Sequence, residues 1–166
     1  MSHVLRRDSA LPGGGVLTVV AFAVAGERLA LGADRVDRVL PMAAVSPLPG
    51  APPVALGALN VGGLVTPVLD VRRRLGCEPR EYGPSAHLLV ARTTRRVVAL
   101  AVDEVLGLRE LTADDVRPPA AVLPRLAHVE GVAALADGLL VICDLDSFLS
   151  LDEERLLATA LEAVEP

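Results

Sequence analysis

Two stretches of the chain carry the same pattern of apolar and polar positions. Gly57-Ala58-Leu59-Asn60-Val61-Gly62-Gly63 runs into Val65-Thr66-Pro67-Val68-Leu69-Asp70, and Gly131-Val132-Ala133-Ala134-Leu135-Ala136-Asp137-Gly138 runs into Leu139-Leu140-Val141-Ile142-Cys143-Asp144. In both, a glycine opens an apolar run, a tight turn interrupts it, and an aspartate closes the second run at the same offset from the first glycine. Each copy predicts a β-hairpin, because Gly62-Gly63 and Asp137-Gly138 tolerate positive φ at a two-residue turn and the flanks are rich in Val, Leu and Ile. A short segment follows each hairpin, Val71 to Leu75 or Leu145 to Leu149, with the aspartate placed to cap a helical turn. Two similar β units in one small chain predict a two-lobed scaffold.

The remaining pattern fills in around these copies. A flexible tail is expected over residues 1–15, then a hairpin from Leu17 to Leu31. Val36 to Leu40 reads as a short strand or a turn of helix. Pro41 to Pro53 is too proline-rich for regular structure, and Gly76 to Ser85 reads as a polar linker. Two apolar runs, His87 to Ala91 and Val97 to Val105, predict another hairpin across Thr93-Thr94-Arg95-Arg96. Thr112 to Asp115 has the form of a capping box, after which Pro118, Pro119 and Pro124 mark a second irregular crossing. At the C-terminus Ser150 and Glu153 form another capping box, and Leu157, Ala160, Leu161 and Val164 recur at helical spacing, with Glu153, Glu154 and Arg155 mostly off that face. The expected division is therefore a tail (1–15), a domain of two β subdomains (16–150) and an amphipathic helix packed on it (151–166).

Composition narrows the picture. Apolar residues make up 52% and aromatics 2%, so the core must be built from Val, Leu and Ala rather than large rings. All sixteen basic residues are arginine. A net charge of −5 argues against a nucleic-acid footprint, which needs a basic face. The run Arg72-Arg73-Arg74 reads as a solvated helix face or a set of ion-pair partners. Cys77 and Cys143 lack metal-type spacing, and Cys143 reads as a small buried hydrophobe in a reducing setting. Arg6-Arg7 ahead of the apolar run Val16 to Ala25 superficially resembles a secretory leader. Asp8, Pro12 and Gly13-Gly14-Gly15 interrupt that pattern, and the run continues as strand, turn and strand. No apolar stretch approaches the length of a spanning helix.

Catalytic chemistry finds no residues to stand on. Asp103 and Glu104 are adjacent in an expected strand, so they point to opposite faces and cannot act as a paired acid and base. His3, His87 and His128 have no ligand spacing, which leaves no metal or cofactor site to expect. Gly13-Gly14-Gly15 precedes a strand rather than a helix and so makes no phosphate cradle, and no serine sits in a nucleophile elbow.

The succession Phe22 to Glu27, Val36 to Pro41, Leu48 to Pro53, Gly57 to Gly63, Pro67 to Arg72, Val102 to Val105 and Val129 to Val132 resembles, in order and spacing, the CheW family of chemotaxis coupling proteins. The resemblance spans about residues 17–160. It implies a mostly β fold of two five-stranded, SH3-like β-barrel subdomains around a shared apolar core, with a C-terminal α-helix. It also implies a cytoplasmic, non-enzymatic adaptor that bridges the tip of a methyl-accepting chemoreceptor to the regulatory domain of a CheA-type histidine kinase, at membrane-associated arrays, with no nucleic-acid partner and no membrane insertion of its own.

Two positions depart from the family pattern. Where relatives of this kind carry a glutamate and an arginine tied to coupling, this chain has Arg38 and Gly62. Removing both members of a charge pair leaves neither stranded, so the fold need not suffer while the coupling surface changes. The resemblance places the interaction surface at Val36, Arg38, Asn60, Gly62 and Gly63 in the first lobe and at Val102, Val105 and Gly131 on or near the second. The valines also read as core residues, and Gly63 and Gly131 as backbone requirements. Arg38, among Val36, Val39 and Leu40, has no packing reason to be there. The alternative is a diverged adaptor that keeps one partner or serves a non-chemotaxis pathway such as motility or development. An enzyme or small-ligand binder on the same barrels would need a convergent polar pocket.

Overall fold

The structure is a computed structural model describing residues 15–78, 80–118 and 129–164. The expected tail over residues 1–15 and the crossing through Pro119 and Pro124 lie almost wholly outside the described residues. Eleven strands form two sheets: β1 (Val16–Val24), β2 (Glu27–Gly32), β3 (Val36–Pro41), β4 (Ala55–Val61), β5 (Leu64–Asp70), β6 (His87–Arg92), β7 (Val97–Val102), β8 (Glu104–Thr112), β9 (Val116–Arg117), β10 (Val129–Leu135) and β11 (Gly138–Cys143). One sheet has the order β8-β1-β2-β11-β10-β9 and the other β3-β6-β7-β5-β4. The chain divides into two compact units, residues 1–36 with 104–145, and residues 37–103 with 146–166.

The two orders are the same order. β8, β1, β2, β11 and β10 of the first unit correspond to β3, β6, β7, β5 and β4 of the second, down to the single parallel contact, β2 with β11 and β7 with β5. The sixth position is β9 in the first unit, reached from β8 through a 3-10 turn, Ala113–Asp115. Its counterpart in the second unit is Ser46, which exchanges both backbone hydrogen bonds with Ala58 at 2.8 and 2.9 Å. The first unit thus has six strands, because one long closing strand is broken by a turn, and the second has five strands and an isolated bridge.

Sequence repeats and folded units do not coincide. The β1–β2 hairpin pairs with strands that come late in the chain, β8 to β11, while β3, β4 and β5 pair with the β6–β7 hairpin. Each unit takes its first hairpin from one repeat and its remaining strands from the other. The expected run Val97 to Val105 is accordingly not one strand: it breaks at Asp103, where the chain leaves β7 in one sheet and enters β8 in the other.

Alternation places the cores. In the first unit Leu17, Val19, Ala21, Ala30, Ala133, Leu140 and Ile142 pack together, and in the second Val68, Leu88, Val90, Ala99 and Ala101 do so. The intervening positions, among them Phe22, Leu29, Leu31, Leu69, Leu89 and Leu100, are buried as well, so these strands are apolar on both faces and read as continuous runs. The C-terminal helix, Leu151–Val164, packs Leu157, Ala160 and Leu161 against Leu48 and Ala58 of the second unit. Burial of each leucine stabilises by about 2 kcal/mol. The Ser150 and Glu153 capping box forms, with Ser150 N–H donating to Glu153 at 2.9 Å and Glu153 N–H to Ser150 Oγ at 3.1 Å. Val164 is exposed and Glu154 is buried, the reverse of what the helical pattern predicts. Glu154 turns inward because Arg96 Nε, on the β6–β7 turn, donates to it at 2.6 Å.

Candidate interaction surface

The duplicated hairpins owe their shape to glycine at defined points. Gly62 and Gly63 adopt φ of 59° and 90°, the geometry of a tight turn whose twist matches its strands. Asn60 completes it, since its Oδ1 accepts the Gly63 N–H at 2.8 Å. Asp137 at the matching turn of the first unit is held by Arg28, whose Nη1 donates to Oδ2 and Nη2 to the Asp137 carbonyl, each at 3.0 Å. That guanidinium brings the Asp137 carboxyl down to about 2 from an ordinary 3.8.

The eight residues expected at the surface are distributed over both units. Arg38 on β3 and Asn60, Gly62 and Gly63 at the β4–β5 turn are exposed, and all belong to the second unit. Within its sheet β3 and β4 are opposite edges. Val102, expected with Val105 and Gly131, lies instead in the second unit at the end of β7, with no exposure at all. Val105 and Val36 are half-buried, and Gly131 is buried, all three in the first unit. A Cβ on Gly131 would stand 3.1 Å from Val116 Cγ1, so the closing strand β9 sets its identity.

Arg38 has a counterpart. Arg38-Val39-Leu40 on β3 and Glu104-Val105-Leu106 at the start of β8 lie on strands that hold the same place in the two sheet orders, and in the aligned sequence patterns Val36–Leu40 and Val102–Leu106 Arg38 matches Glu104. Both are exposed. The shared Val-Asp-x-Val-Leu pattern of these two stretches is a signal the sequence reading passed over. Around Glu104, β8 presents Leu106 and the 68%-exposed Leu108, flanked by exposed Glu110.

A buried polar network escaped the sequence reading. Arg72 is 5% exposed; its Nη2 donates to Asp103 Oδ1, its Nη1 to the Arg80 carbonyl at 2.9 Å, and its guanidinium lies 4.7 Å from the centre of the Tyr82 ring. Tyr82 Oη donates to Asp70 Oδ1 at 2.6 Å, and Asp70 also caps the short helix Val71–Arg74 by accepting the Arg72 N–H at 3.1 Å. Burial first, then the bond to Asp70, raises the Tyr82 phenol well above its usual range. Arg74 pairs with Glu153 at 2.6 Å, which leaves Arg73 as the solvated member of the run. The network ties Arg80 and Tyr82 to the short helix and, through Arg72, to Asp103; the signal for it was the lone tyrosine of a chain nearly free of aromatics.

The Cys143 thiol is buried and pushed up to about 12, chiefly by desolvation, far from the thiolate form that reacts. Among the described residues, no three His, Cys, Asp or Glu side chains gather as a metal site requires, and no helix is long and apolar enough to cross a membrane.

The described residues form two duplicated β units with exposed turns and sheet edges. A family model, the CheW-like domain, matches residues 18–153, and the chain belongs to that family. It is 25% identical over 138 residues to a chemotaxis protein CheW of Klebsiella aerogenes, covering 82% of this chain and 83% of that one. It is 27% identical over 139 residues to a chemotaxis protein CheW of Rhizobium meliloti, covering 82% and 90%. Protein FrzA of Myxococcus xanthus is 36% identical over 98 residues, covering 59% of this chain and 61% of that one. The crystal structure of the scaffolding protein TtCheW from Thermoanaerobacter tengcongensis superposes with a TM-score of 0.76 at 24% identity, over 82% of this chain and 94% of that one.

Proposed function

We propose that this chain is a chemotaxis coupling scaffold, without enzymatic activity of its own, that joins chemoreceptors to a CheA-type histidine kinase. The observation that carries this is the match to the CheW-like domain over residues 18–153, nearly the whole described fold. It works by presenting surfaces: the exposed β4–β5 turn with Asn60, Gly62 and Gly63, and Arg38 on β3, are the positions in the second unit offered to a partner, with Val36, Val105 and Gly131 shaping the first. Val102 supports β7 from within. The chain acts in the cytoplasm at membrane-associated receptor arrays, held there by its partners.

Titration calorimetry of the chain against the regulatory domain of its host's CheA-type kinase, and separately against a receptor-tip fragment, tests the reading. Micromolar binding to both is expected. Binding to one alone would make it an adaptor that has lost half of the bridge, and binding to neither would overturn the proposal.

A further inference from the structure

Asp137-Gly138 is the only Asp-Gly step in the sequence, and Asn-Gly does not occur. Such a step is chemically labile: with no side chain on the glycine, its backbone nitrogen can swing onto the preceding carboxyl carbon and close a five-membered ring. Water reaches the turn, since 56% of the Asp137 side chain is exposed. Gly138 sits at φ 127°, and a Cβ on it would stand 3.0 Å from Arg28 Nη2. Backbone conformation and the seat of Arg28 thus both select the residue that makes the turn labile.

The same arginine opposes the reaction. Its Nη1 donates to Asp137 Oδ2 and its Nη2 to the Asp137 carbonyl oxygen, each at 3.0 Å. One planar fork therefore draws the carboxylate toward the residue's own carbonyl oxygen. The Gly138 nitrogen is the other substituent of that carbonyl carbon, so the carboxyl carbon is turned away from its attacker. Gly138 also pairs with Leu135 as the first rung between β10 and β11, which restrains the nitrogen. Ring closure further needs a protonated carboxyl, whose hydroxyl can leave as water, and the bond from Arg28 favours the ionised form. Arg109 adds one longer contact, 3.6 Å to Oδ1.

We propose that Asp137 is a latent isoaspartate site and that Arg28 is the clamp that keeps isoaspartate from forming there. Without the clamp, the Gly138 nitrogen bonds to Asp137 Cγ, the carboxyl C–O bond breaks, and water leaves with the proton of the nitrogen. A second water then adds to the main-chain carbonyl carbon of the imide, and the bond from that carbon to the nitrogen breaks. Mass is unchanged, but the chain now runs through Cβ and Cγ. It is one carbon longer at the turn, and the rung between Leu135 and Gly138 loses its register. The inference is independent of any partner of the chain.

Ageing of the full chain at mildly acidic pH tests it. Isoaspartate is counted by methyl transfer from labelled S-adenosylmethionine with isoaspartyl methyltransferase and located by peptide mapping, and circular dichroism confirms that each variant is folded. The unaltered chain in urea gives the unrestrained rate. Isoaspartate at Asp137 should form at least about tenfold more slowly in the folded chain, the change in protonated fraction for a carboxyl moved by one pH unit. Arg28→Ala should bring the folded chain close to the urea rate. Arg28→Lys should do the same while keeping the charge, because an ammonium cannot grip both oxygens as the fork does. Arg109→Ala should leave the rate low. A folded Arg28→Lys chain that ages as slowly as the unaltered one, or an unaltered chain that ages as fast folded as in urea, would overturn the proposal.

Discussion

Gly57 and Gly131 hold the same place in the two units, each in the first strand of a duplicated hairpin, one residue past a bulge, beneath the segment that closes its barrel. A Cβ on Gly57 would lie 2.1 Å from the Ser46 carbonyl oxygen, whereas on Gly131 it would meet a side-chain carbon of Val116 at 3.1 Å. Backbone cannot yield as a valine rotamer can, and Gly57 is also at φ 155°. Gly57→Ala should therefore destabilise by about 3 kcal/mol and Gly131→Ala by about 1 kcal/mol. Urea unfolding of the two variants measures the difference; equal losses would mean that the closing segments are not what selects these glycines.

The hairpins were legible because their information is local: turn glycines, β-branched flanks and the capping aspartate Asp70 all sit within one short stretch. Capping boxes at Thr112 and Ser150 were legible for the same reason. The exchange of strands was not. Nothing beside Asp103 tells that the chain there changes sheets, since β8 finds its partner β1 far back in the chain, and long-range pairing leaves no local mark. Glu154 was misjudged likewise, because a helical pattern cannot show that Arg96 waits on the face it turns toward. Of the candidate positions, the turn at Asn60 to Gly63 could be located from sequence, and Val102, which also read as a core residue, is fully buried.

The Arg72–Asp103 pair ties the short helix after β5 to the point where the chain leaves β7. Arg72 is nearly enclosed, while the Asp103 side chain keeps 26% of its exposure. Replacing Arg72 by methionine strands a partly buried carboxylate and removes the bonds to the Arg80 carbonyl and the Tyr82 ring. A loss of about 3 kcal/mol is expected. Asp103→Asn should cost less, about 1.5 kcal/mol, because an amide still accepts from the guanidinium. In a double-mutant cycle the combined variant should lose clearly less than the two single losses together. Strict additivity would show the two side chains to be uncoupled.

Asp137 and Glu153 link stability to acid. Arg28 depresses Asp137 to about 2. For Glu153, burial raises the carboxyl, but the Ser150 N–H and Arg74 outweigh it and the net direction is down. Groups whose folded values are depressed contribute stability above their unfolded values and lose it as the pH falls through the folded ones. The contribution of Asp137 should therefore be complete above about pH 4 and fade toward pH 2. Carboxyl-carbon NMR should give a midpoint near 2 for Asp137, moving toward 3.8 in Arg28→Ala. A midpoint unchanged by that substitution would exclude Arg28 as the cause.

At Gly62, a proposed contact position, a side chain can be added at small cost to the fold. Its φ of 59° lies in the left-handed region, but nothing stands within 4 Å of an added Cβ, so the first carbon of a side chain meets no clash. The cost is the backbone preference alone, about 1 kcal/mol. Gly63, at φ 90°, is less forgiving, and its N–H must stay in line with Asn60 Oδ1. Arg38 is exposed, with no packing role to lose. The double variant Arg38→Glu/Gly62→Arg should accordingly fold, with a stability loss of about 1 kcal/mol traceable to position 62, while reversing one charge and adding another on the presented surface. If those two positions govern coupling, its affinity for the receptor tip or for the kinase regulatory domain, measured by calorimetry beside the unaltered chain, should change by about tenfold or more. Equal affinities, with kinase activation unchanged, would remove Arg38 and Gly62 from the interaction surface and leave the contact to the remaining exposed positions.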